Sequence, residues 1–111
     1  MSELMVDGRR IPLDKDGYLI DRQDWSEAVA QALAAREELQ LSAEHWEILR
    51  LLREFHEQFQ LSPATRPLIK YAALKLGPDK GNSLHLNRLF KGTPAKLAAK
   101  LAGLPKPSNC L

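Results

Sequence analysis

A single cysteine, Cys110, stands in the 111 residues, so the chain cannot close an internal disulfide. Stability has to come from burying apolar surface, and a domain of this length can bury roughly two-thirds of what its unfolded chain exposes. No apolar run approaches the ~18 residues that a membrane span needs. The opening Met1-Ser2-Glu3-Leu4-Met5-Val6 has neither the basic start nor the apolar stretch of a signal peptide. These absences point to the reducing cytoplasm and to no membrane partner. Imbalance of charge is small as well: 16 basic against 14 acidic side chains leave a formal +2, too little to argue nucleic-acid binding by itself. Neither a glycine-rich phosphate loop nor a nucleophile elbow occurs, so no nucleotide cofactor is expected. Metal spacing is missing too. His45 and His56 would stand about 16 Å apart along one helix, too far to share an ion, and His85 falls on another element, so no metal is expected and the histidines are read as flanking the core.

What is present begins with turns. Asp7-Gly8 and Asp16-Gly17 are hairpin signals between Leu4-Met5-Val6, Arg9-Arg10-Ile11 and Tyr18-Leu19-Ile20, and they predict an antiparallel meander of about three strands. Pro12 removes a ladder donor, which puts its position at an edge or an end. From Asp24 the pattern turns helical. Asp24 with Glu27 reads as a capping-box-like start for a helix to about Glu38. A second helix, capped by Ser42, is expected over 43–60, with Ile48, Leu49, Leu51, Leu52, Phe55 and Phe59 on one arc and Arg53 among the polar residues opposite. It is read as the spine of the core. Ser62-Pro63 opens a third helix that Gly77-Pro78 ends, Asn82 or Ser83 caps a fourth through Phe90, and Thr93-Pro94 starts a fifth that Gly103 stops. The fold class predicted is α+β: a small sheet packed on about five helices, with residues 1–103 as one body and 104–111 as an extended arm.

That arm, Leu104-Pro105-Lys106-Pro107-Ser108-Asn109-Cys110-Leu111, is the organising feature. Its two prolines forbid a helix and favour an extended chain reaching roughly 25 Å, mobile in the free protein. Cys110 at its far end would be exposed and presented to another protein, and its thiolate is a nucleophile toward a disulfide or persulfide sulfur. Lys106 lies nearby, and Lys96 and Lys100, four apart on the last helix, would favour the thiolate if the arm folds back. The competing reading is an incidental terminal cysteine. A second competitor takes the helices around Gln60-Leu61-Ser62 as a helix-turn-helix with Arg66 and Lys70 in a DNA groove, although that turn lacks the usual glycine.

The stretches Asp16-Gly17-Tyr18-Leu19, Leu41-Ser42-Ala43-Glu44-His45-Trp46-Glu47, Ser62-Pro63-Ala64 and Gly81-Asn82-Ser83, with Leu89-Phe90, Pro94-Ala95-Lys96 and above all Ala102-Gly103-Leu104-Pro105-Lys106-Pro107 before the penultimate cysteine, resemble the TusE/DsrC family. The resemblance spans essentially the whole chain; one departure is Thr93, where glycine is common. It implies a small meander packed on helices and a sulfurtransferase that carries sulfur as a persulfide on Cys110. In the TusE branch the donor is a relay complex of the TusBCD kind, and the destination is an MnmA-like enzyme that makes 2-thiouridine in tRNA. In the DsrC branch the arm enters dissimilatory sulfite reductase, and a second cysteine eleven residues before the last takes part in disulfide chemistry. Here that position is Ala99, which favours the relay branch and leaves a DsrC-like partner of a sulfite reductase as the alternative. Contact with tRNA is expected only through the acceptor enzyme.

Overall fold

The fold, obtained as a computed structural model, is described for residues 2–107. Strands β1 (Ser2–Val6) and β2 (Arg9–Leu13) pair antiparallel with Leu4 opposite Ile11 and Glu3 opposite Pro12. Asp7 and Gly8 both take positive φ, 51° and 79°, as a two-residue turn matched to strand twist requires. Period two turns Leu4, Ile11 and Leu13 inward, all buried. The predicted third strand shrinks to one bridge, Leu13 with Leu19. Two side chains account for the shortening. Asp14 Oδ1 accepts from the amides of Asp16 and Tyr18 and tightens the turn, and Asp21 then caps a 3-10 turn at Arg22–Asp24 before more pairs can form.

Five helices follow: α1 (Glu27–Arg36), α2 (Ala43–Phe59), α3 (Thr65–Leu76), α4 (Ser83–Leu89) and α5 (Pro94–Leu101). The cap of α1 is Ser26, whose Oγ accepts from Val29 N at 3.2 Å, while the expected cap Asp24 ends the 3-10 turn and pairs with Arg9 at 3.4 Å. Ser42 caps α2, and the box is closed by a histidine: Ser42 N donates to His45 Nδ1 at 3.0 Å. That leaves the proton on Nε2, which donates to Leu89 O at 2.7 Å and ties α2 to the end of α4. Of the predicted α2 arc, Ile48, Leu49, Leu51 and Leu52 are buried, but Phe59 is half exposed, its ring tilted against Phe55 at 4.6 Å, and Phe55 in turn meets Tyr71 edge to face.

The hub of the core is α5 rather than α2. It packs against α1, α2, α3 and α4 and buries six of its eight residues. Ala95, Ala98 and Ala99 give it a surface thin enough for four helices to approach, and Leu97 and Leu101 fill the gaps. Residues 102–107 therefore leave from an element that four helices surround.

Candidate functional site

The chain leaves α5 through a Schellman turn. Gly103 N donates to Lys100 O and Leu104 N to Ala99 O, at 3.1 and 3.0 Å, with Gly103 at φ 73°. Two carbonyls at the end of α5 are taken up by side chains from far away in sequence, which offsets what a helix end otherwise leaves unpaired. Trp25 Nε1 donates to Leu101 O at 2.9 Å, and Arg53 Nη1 donates to Ala102 O at 2.6 Å. The Arg53 guanidinium lies 3.9 Å from the centre of the Trp25 ring, so each orients the other, and its charge faces the negative end of the helix. Burial pushes the Arg53 pKa down, Glu57 supports the charge, and Arg22 opposes it.

The next four residues are seated rather than free. Leu104 and Pro107 are buried, Ser62 Oγ donates to Pro105 O at 2.5 Å, and Lys106 Nζ lies 3.5 Å from Asp16 Oδ2. Residues 104–107, the described part of the expected arm, lie against the body through these contacts. Proline removes donors but leaves carbonyls, and Ser62 uses one. Cys110, the expected sulfur carrier, lies outside the described residues.

Beside this seat is a cleft of about 270 Å³. It gathers the three lysines the sequence singled out, Lys96, Lys100 and Lys106, and adds Lys91, against Asp16 and Glu37. Lys100 Nζ is 3.3 Å from Glu37 Oε2 and 5.3 Å from the Tyr18 ring centre. Lys91 Nζ donates to the carbonyls of Glu37 and Glu38. Tyr18 OH donates to Lys96 O at 3.0 Å, so the aromatic floor is fixed to α5. Four cations face two carboxylates, and a cleft with that excess favours an anionic group such as a thiolate or persulfide. Among the described residues no three side chains converge as a metal site, and no helix is long and apolar enough to cross a membrane.

Sequence reasoning missed the residues that seat the arm. Arg53 read as part of the polar face of α2, and nothing in the local pattern around Trp25 announces its bond to the end of α5. An arginine one residue after the buried Leu52 is the only local hint, and it does not say which carbonyl the side chain will find.

His56 sits behind this clamp, nearly buried, with Nε2 3.0 Å from Arg22 Nη1. Burial first, then the charges of Arg22 and Arg53, push its pKa below the usual histidine value. The unfolded chain therefore takes up the proton more readily than the folded one. Stability from neutral His56 is complete above about pH 6.5 and declines as pH falls below it. Melting temperatures between pH 7.5 and 5.5 should fall more steeply for the wild type than for His56→Gln; parallel slopes would remove His56 from the account.

The family described as DsrC like protein matches residues 5–111. Sulfurtransferase TusE of Salmonella typhimurium is 53% identical over 108 residues, covering 97% of this chain and 99% of its own length. The protein of the same name from Photorhabdus laumondii is 50% identical over 111 residues, covering all of both chains. Among solved structures, Allochromatium vinosum DsrC superposes with a TM-score of 0.90 at 44% identity, covering 99% of this chain and 98% of that one. The oxidized gamma-subunit of the dissimilatory sulfite reductase from Archaeoglobus fulgidus gives 0.85 at 40% identity, covering 99% and 100%.

Proposed function

Because the chain belongs to the DsrC-like family, we propose that it is a sulfurtransferase of the relay type, with Cys110 as the carrier. The thiolate of Cys110 attacks the outer sulfur of a donor persulfide. One S–S bond forms at Cys110 as the donor's S–S bond breaks, and the donor cysteine leaves as a thiolate. A second attack, by an acceptor thiolate on the outer sulfur of the Cys110 persulfide, passes the atom on and restores the Cys110 thiolate. Neither step needs an external oxidant or reductant.

The single observation that carries this reading is the seated exit of the chain beside a lysine cleft. Pro107 is buried, and three residues later the Cys110 Cα lies within about 11 Å of the Pro107 Cα whatever path the chain takes. Lys96, Lys100 and Lys106 are then the cations that support the thiolate and the persulfide. We assign the donor to a TusBCD-like complex and the acceptor to an MnmA-like enzyme forming 2-thiouridine, with tRNA met only through that enzyme. Support for this branch over a sulfite-reductase partner comes from Ala99, a fully buried methyl in the α5 core where a second thiol would be required.

Intact-mass spectrometry tests the reading. After incubation with a cysteine desulfurase, its substrate and the donor complex, the wild type gains about 32 Da, one sulfur atom, and Cys110→Ser does not. A complete system that leaves the wild type unmodified would sink the proposal.

A further inference from the structure

Three polar side chains are buried among the described residues: His45, His56 and Ser62. The body accounts for both histidines, since His45 closes the cap of α2 and His56 meets Arg22. It does not account for Ser62. That residue lies between the Gln60 end of α2 and the Ala64 start of α3, and it caps neither helix. Among the described residues its Oγ donates to the carbonyl of Pro105, 43 positions away. A buried hydroxyl is unfavourable unless it is paired, and an alanine would fill the same place in the body without needing a partner. What serine adds here is a hold on the chain beyond α5.

The hold falls where the arm has few others. Leu104 is fixed by the Schellman turn and by burial, and Pro107 is buried, but Pro105 and Lys106 between them are exposed. Pro105 has no N–H, so its carbonyl is the backbone group by which the body can grip it. The neighbouring contact, Lys106 with Asp16 at 3.5 Å, joins side chains 48% and 43% exposed and contributes little. With the seat closed, three residues separate Pro107 from Cys110, which keeps the two Cα atoms within about 11 Å. With the seat open, the last fixed residue is Leu104, six residues before the cysteine, and the limit doubles to about 22 Å. The concentration of one end of a flexible chain at a given point falls roughly as the −3/2 power of chain length, so doubling the span dilutes the thiol about threefold at a partner's sulfur.

We infer that Ser62 is a positioning residue for sulfur transfer: by holding the Pro105 carbonyl it shortens the tether of Cys110 and raises the rate at which the thiolate meets a persulfide on a docked protein. The inference rests on the relay reading and deepens it. Ser62 acts through the backbone of the arm rather than on the sulfur. A small persulfide that diffuses in from solvent gains nothing from a short tether, because it is not held at a fixed point.

The test is single-turnover transfer to the full chain, followed by intact mass as the gain of about 32 Da, first from the persulfide-loaded TusBCD-like complex at saturating concentration and then from glutathione persulfide. Ser62→Ala should accept sulfur from the complex with a rate constant about threefold below the wild type, and every chain should still be modified at the end. Partial unfolding would do the reverse, lowering the final fraction and leaving the rate constant alone. From glutathione persulfide the two proteins should react at the same rate. Inserting Gly-Ser-Gly after Pro107 lengthens the tether by three residues without touching Ser62, and it should slow transfer from the complex by the same factor of about three. The inference is overturned if Ser62→Ala keeps the wild-type rate constant with the complex, if it slows equally with glutathione persulfide, or if the insertion transfers at the wild-type rate. A wild type that gains no sulfur from the complex removes the relay reading itself, and this inference with it.

Discussion

Gly103→Ala is expected to lower the melting temperature by well over 10 °C. Its φ of 73° already costs an alanine about 1 to 2 kcal/mol. The larger effect is contact. A Cβ at this position would lie 2.4 Å from Trp25 Cδ1 and 2.8 Å from Trp25 Cβ, and a tryptophan held at its root cannot swing aside as a lysine tip can. To make room, Trp25 has to give up its bond to Leu101 O and its stacking on Arg53, and Arg53 then loses its register on Ala102 O. Strain and lost bonds together come to about 3 to 5 kcal/mol, and in a domain of this size each kcal/mol moves the midpoint by roughly 4 to 8 °C. Gly92→Ala is the control. Its φ is 84°, but nothing lies within 4 Å of the added methyl, so only the conformational cost of about 1 to 2 kcal/mol applies. Similar melting temperatures for the two variants, by calorimetry, would show that the Trp25 contact contributes nothing.

This prediction rests on a contact that no sequence pattern announces, and the contrast with what was legible is physical. Turns and caps act over two to four residues, so Asp7-Gly8, Ser42, Pro94 and Gly103 declare their roles in place. The lysine cleft was partly legible for the same reason: Lys96 and Lys100 share a face by helical spacing and Lys106 follows a few residues on, whereas Lys91 joins them only because the chain turns ahead of α5. The hub of the core was not legible. Hydrophobic periodicity weights large side chains, and it singled out α2 with its leucines and phenylalanines. Four helices can close only on a thin element, and the alanines of α5 provide that while scoring weakly on any hydropathy scale. The shortened third strand has a similar origin. Tyr18-Leu19-Ile20 has strand propensity, but the Asp14 and Asp21 side chains satisfy nearby amides and leave room for a single bridge.

A pair of truncations should separate the part of the arm that the body holds from the part that carries the cysteine. Removing 108–111 deletes Ser-Asn-Cys-Leu and abolishes sulfur acceptance, while the seat formed by Leu104, Pro105, Lys106 and Pro107 stays, so the melting temperature should move by no more than about 2 °C. Removing 104–111 abolishes acceptance equally, but it also strips the buried Leu104 from the Schellman turn, a loss of about 2 to 4 kcal/mol for a leucine in a core. Ser62, itself buried, loses the Pro105 carbonyl it donates to, which adds about 1 to 3 kcal/mol. The exposed Lys106 to Asp16 pair adds little. The longer deletion should therefore melt at least 10 °C below the shorter one, with identical loss of the 32 Da adduct in both. If the two truncations melt together, the four residues after Gly103 belong to the arm rather than to the body, and the cleft beside them loses its fixed wall.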